Sequence, residues 1–89
     1  IKSRIENPKN DSYVSSLVKQ GTNAVTRKVG EEALELILAA KDHVKEEIIN
    51  EAADLLFHTL ILLAEEKIEL EEIYKTLKER RKTKTNTQE

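Results

Sequence analysis

Cysteine is absent from the 89-residue sequence, and with it go disulfides, thiolate zinc sites and cysteine nucleophiles. A bound metal would have to be held through oxygen ligands, which suits hard cations. Proline occurs once, at Pro8, and glycine twice, at Gly21 and Gly30, so from residue 31 onward nothing breaks a helix. No run reaches the roughly 18 apolar residues of a membrane span, and the opening IKSRIENPKN lacks the apolar centre of a signal peptide. A cytoplasmic protein is expected. An excess of one charge sign is also missing. Fifteen basic residues stand against 17 acidic ones, so no global field favours nucleic acid or an acidic membrane surface. The chain begins at Ile1 rather than at methionine, and residues ahead of it are expected in the native protein.

What remains is helical pattern. Asn10 and Asp11 can cap a first helix from about Ser12 to Gln20, which Gly21 is placed to end in a left-handed conformation. Thr22 or Asn23 caps a second helix running to about Lys41. Gly30 inside it either costs about 1 kcal/mol or admits another backbone. Asp42 and His43 make a turn, a third helix spans about Val44 to Glu66, and a fourth about Glu69 to Arg81. The tail KTKTNTQE at 82–89 has no apolar residue and is expected to fray. The six basic residues between Lys75 and Lys84 suit a helix C-terminus. Neither repeat nor linker divides the chain, and the expectation is one all-α domain over 1–89. Its centre is a helical hairpin with flanking helices.

From Ala52 to Ala64 the third helix is apolar nearly all round, which calls for neighbours on every side. A chain of 89 residues has too few helices to supply them, and on its own it buries little more than about 60% of its unfolded surface. A four-helix-type bundle completed by a second copy, as a homodimer or higher homo-oligomer, meets the need. Asp54 and His58 are expected to be buried in this segment.

The polar residues form stripes. Glu51, Asp54 and His58 fall within about 60° of one another on the third helix, and Glu47 extends the stripe by a turn. Lys28, Glu32 and Glu35 form a similar stripe on the second, with Glu31 at its edge. Glu35 lies seven residues before Asp42 and Glu51 eight after His43, so an antiparallel hairpin brings the two acidic pairs face to face. Carboxylates converging in an apolar groove raise one another's pKa, and desolvation adds to the penalty. A divalent cation resolves the conflict. Mg²⁺ prefers oxygen ligands and keeps positions for substrate phosphates, while Lys28 and His58 stand nearby as donors. Taken singly, Glu31, Glu46 and Glu47 read as solvated surface acids, and His58 as an ordinary core histidine.

EEALE at 31–35 and EAAD at 51–54 resemble the EExxE and ExxD pair of the all-α, MazG-like nucleoside triphosphate pyrophosphohydrolases. NPKNDSYVSSLVKQG, RKVGEEALELILAAK and EAADLLFHTLILL narrow the likeness to the phosphoribosyl-ATP pyrophosphohydrolase family, which acts at the second step of histidine biosynthesis. The likeness covers residues 7 to about 81, and Phe57 stands where the family often has tyrosine. It implies Mg²⁺-dependent hydrolysis of phosphoribosyl-ATP to phosphoribosyl-AMP and pyrophosphate. Carried over by position, Glu32, Glu35, Glu51 and Asp54 are metal ligands. Glu31 and Glu32 are catalytic acids, and Lys28, Lys41 and His58 are substrate contacts.

Two other readings compete. The acidic signature is shared with housecleaning pyrophosphatases for noncanonical nucleotides, although the SY block at 12–13 and KVGEEA at 28–33 favour the histidine enzyme. A dimeric interaction module could use buried acids to fix helix register, but register needs one polar position, not two opposed clusters. A ferritin-like di-iron bundle needs Glu-x-x-His pairs. Here His58 follows Asp54 by four residues, and position 55 is leucine.

Overall fold

The computed structural model describes residues 8–87, with side chains described over 11–82. The described residues form four helices and no strand: α1 Pro8–Lys19, α2 Thr22–Asp42, α3 Lys45–Glu65 and α4 Leu70–Thr87. α1 starts four residues ahead of Ser12 because proline, lacking only an N–H that the first turn does not use, opens a helix readily. α4 runs beyond Arg81 to Thr87. The last two residues of the tail lie outside the described residues.

The connections explain the topology. Gly21 takes φ 103° and ψ 168°, open to glycine and strained for other residues. Its N–H donates to Val18 O at 3.0 Å, and its own carbonyl accepts from the Ala24 N–H at 3.0 Å, so one residue closes α1 and opens α2. α2 ends at His43, in the left-handed conformation at φ 62°, ψ 25°, with its N–H directed at Ala39 O and Ala40 O. Glycine is the usual occupant of such a position. Replacing the exposed His43 with glycine should therefore stabilise the protein by about 1 kcal/mol, read as a higher urea midpoint; an unchanged or lower midpoint would show that the His43 side chain contributes more than the strain costs.

α3 ends in a Schellman motif, with Lys67 at φ 59° and hydrogen bonds from Ile68 N–H to Leu63 O at 2.9 Å and from Lys67 N–H to Ala64 O at 3.0 Å. Glu72 then reaches back through Oε2 to the Glu69 N–H at 3.0 Å, half of a capping box that starts α4.

α2 and α3 pack as the antiparallel hairpin expected, and α1 lies across them. The core is small: Leu17 of α1, Ala24 and Val25 of α2 and Ile61 of α3, with Val14, Phe57 and Leu62 against them. On the far side the hairpin is bare. Leu34, Ile37 and Leu38 on α2 and Ile49 and Leu56 on α3 are each more than half exposed, and at about 100° per residue they lie roughly opposite Val25 and Ile61. Among the described residues, then, α3 is not enclosed. Gly30 has nothing within 4 Å of an added Cβ, so among the described residues no other backbone approaches it. Among the described residues no helix is long and apolar enough to cross a membrane.

Candidate metal and catalytic site

The hairpin register carries the acids together. Glu32 and Glu35 of α2 and Glu51 of α3 place carboxylate oxygens within 4.8 Å of one another. Glu32 is buried, Glu51 half-buried and Glu35 exposed, so the triad opens outward from the hairpin. Glu32 Oε1 and Glu51 Oε1 are buried with no hydrogen-bond partner. Burying a carboxylate oxygen without a donor is costly, and two such atoms beside a third acid fit a cation held by oxygen. Burial, first, raises the Glu51 pKa above the ordinary carboxylate value. A hydrogen bond shared with Glu35 and the charges of Glu35, Asp54 and Glu32 push the same way.

Among the described residues, Lys28 supplies the one counter-charge paired with this cluster. Its Nζ lies 3.2 Å from Glu32 Oε2 and 3.7 Å from Glu31 Oε1, one helical turn away along α2. The bond to Glu32 holds the Lys28 pKa above its ordinary value against an opposing effect of burial, and the nearby Tyr13, Glu32 and Glu31 add to the rise. Glu31, with half its side chain exposed, faces solvent beside the triad.

The remaining sequence candidates lie differently. Asp54 is exposed, not buried as its neighbours suggest, because in the single chain the apolar surround of α3 is incomplete. Its carboxylate acts on Glu51 through charge but is not part of the close triad. Lys41 is exposed in the last turn of α2, about half a turn around the helix from Glu32, and does not join the cluster. His58 is buried, as expected, and both of its ring nitrogens are engaged. Nδ1 lies 2.8 Å from Asp54 O, one turn back on α3. Nε2 lies 2.7 Å from the Tyr13 hydroxyl. Tyr13 was not among the sequence candidates. It pairs with His58 across 45 residues of chain, through the packing of α1, and the only trace of it in the sequence is the SY block at 12–13.

The phosphoribosyl-ATP pyrophosphohydrolase family profile matches residues 1–81. The chain belongs to this family. Among curated relatives of the family, it is 45% identical over 80 residues to the phosphoribosyl-ATP pyrophosphatase of Clostridium acetobutylicum, covering 90% of this chain and 73% of that protein. It is 50% identical over 70 residues to the enzyme of the same name from Pelobacter propionicus, 79% of this chain and 65% of that protein. A third relative is the histidine biosynthesis bifunctional protein of Prochlorococcus marinus, 44% identical over 86 residues. That match takes in 97% of this chain but only 38% of the relative. The chain thus spans well under half of the bifunctional relative and about two thirds to three quarters of the single-function ones.

Proposed function

We propose that this chain hydrolyses phosphoribosyl-ATP to phosphoribosyl-AMP and pyrophosphate, in the cytoplasm, with Mg²⁺ held by Glu32, Glu35 and Glu51 and assisted by Asp54. The observation that carries the metal assignment is the pair of partnerless buried oxygens, Glu32 Oε1 and Glu51 Oε1, within an acid triad. When bound, Mg²⁺ would neutralise polyphosphate charge and favour displacement at phosphorus. The protein's own contribution is positional. Lys28 holds Glu32 Oε2, which leaves Oε1 buried and without a donor, free for a cation. Glu31, exposed and loosely tied to Lys28, is available to take a proton from an attacking water, and the ammonium beside it offers donors to a phosphate oxygen. In this reading water is the nucleophile. Purified protein with Mg²⁺ and phosphoribosyl-ATP should release pyrophosphate, faster than with dUTP or dCTP. Release of orthophosphate alone, or a preference for the deoxynucleotides, would overturn the assignment.

The site also calls for a second copy of the chain. Leu34, Ile37, Leu38, Ile49 and Leu56 would be covered by the same face of a partner, giving the bundle that one chain leaves half built. The protein should sediment at twice 10.2 kDa or a multiple of it at micromolar concentration. Leu56→Asp should give a monomer or an unfolded chain, and a wild type that is monomeric and fully active would exclude the shared core.

A further inference from the structure

Among the described residues α4 packs along none of the other three helices, although most helices in proteins take their stability from burying an apolar face. Such a face is present. Leu70, Ile73, Tyr74 and Leu77 recur at helical spacing within about 100° of arc. Tyr74 is 60% exposed and Leu77 54%, and together with Lys78 and Arg81 they line a groove of about 400 Å³. The charges that flank this stripe are ordered along it. Glu69 and Glu71 precede its midpoint, Lys78 and Arg80 follow it, and Glu79 lies on the opposite face of the helix. A partner that matches both ends must run basic to acidic where α4 runs acidic to basic. α4 turned end for end does so.

We infer that α4 is an interaction surface for a second copy of this chain, pairing antiparallel with the same helix about a two-fold axis between Ile73 and Tyr74. Leu70 then meets Leu77 of the second copy, and Ile73 meets its Tyr74. The groove beside Tyr74 and Leu77 receives Leu70 and Ile73. Glu69 comes within reach of Arg80 of the second copy along one edge, and Glu71 of its Lys78 along the other, each pair occurring twice by symmetry. A parallel pair would set like charges against each other. Two turns of contact fall short of the roughly 1,000 Å² that a lasting interface needs, so this pairing adds to the hairpin contact and does not replace it.

The cysteine-free sequence makes disulfide trapping a clean test. Under mild oxidation Tyr74→Cys should cross-link to itself about tenfold faster than Leu77→Cys, a similarly exposed position on the same face. In the antiparallel register the two copies of residue 77 stand about 10 Å apart along the axis, beyond disulfide reach. A mixture of Leu77→Cys with Leu70→Cys should cross-link as fast as Tyr74→Cys does. Equal rates at 74 and 77 would mean a parallel pair or random collision, and no disulfide at either would mean that α4 meets something other than itself; each result overturns the inference. In the Tyr74→Cys background, Glu71→Lys and Lys78→Glu should each slow the cross-link, and an equal mixture of the two should recover the original rate. A mixture no faster than its components would remove the charge pairing. Trapping registers a weak pair that sedimentation misses, so a monomer in sedimentation speaks against the hairpin interface, while an absent disulfide speaks against the α4 pair.

Discussion

Glu51→Gln is expected to make the metal-free protein more stable while lowering pyrophosphate release by about a hundredfold or more. The two effects share one cause. Glu51 is half-buried beside Glu35 and Glu32, with one oxygen that meets no donor, and its pKa is held above the ordinary carboxylate value by burial and by those neighbours. Glutamine keeps the shape, removes the charge, and can still donate an amide N–H to Glu35. The sign follows from linkage. Below its unfolded pKa Glu51 is protonated in both folded and unfolded states and costs nothing. As pH rises through the ordinary carboxylate value toward the raised folded value, the unfolded state ionises first and the fold loses stability relative to it. Above the folded value the loss is complete. Melts in EDTA should therefore converge for wild type and variant in acid and separate as pH rises, with the glutamine protein on top. Added Mg²⁺ should raise the wild-type melting temperature and move the variant much less. A variant less stable than wild type in EDTA at pH 8, or an equal Mg²⁺ shift in both, would remove Glu51 from the repulsive cluster.

The triad was legible because it depends on local arithmetic. Glu32, Glu35 and Glu51 are set by helical spacing and by nearly equal distances from the turn at Asp42 and His43, and the hairpin that follows from a breaker-free stretch brings them within 4.8 Å. The sequence pattern places the α1 start four residues late, because Pro8 reads as a breaker when it is in fact a good first residue. The composition around Asp54 points to burial. Burial, however, depends on which faces find neighbours, and α3 has its far side open. The desolvation expected at Asp54 falls on Glu51 instead. Least legible was the Tyr13–His58 bond. It joins residues 45 apart, and nothing in the periodicity of α1 says which of its faces will lie on α3.

The relation between Lys28 and the acids gives an effect of opposite sign. Glu32 has a side chain only 8% exposed, and its sole counter-charge among the described residues is Lys28 at 3.2 Å. Lys28→Met keeps most of the apolar stem and deletes the ammonium, which leaves Glu32 charged, buried and without a donor on either oxygen. Breaking a buried pair from one side costs about 3–5 kcal/mol, and because the Lys28 side chain is one third exposed, solvent reduces this to about 2 kcal/mol. The metal-free variant should melt well below wild type, where Glu51→Gln melts above it. The loss should not vary on the lysine's account near neutral pH. With its folded pKa raised, Lys28 gives its full stabilisation below the unfolded value and loses it only as pH rises through the folded one. Mg²⁺ should recover more stability in the variant than in wild type, since a cation at the triad replaces the missing charge. The decisive control is the same substitution in a Glu32→Gln background, where no buried charge is left to orphan. There Lys28→Met should cost a fraction of its effect in the native background, and an equal cost in both would mean that Lys28 stabilises the fold through its stem or through Glu31, not by neutralising Glu32.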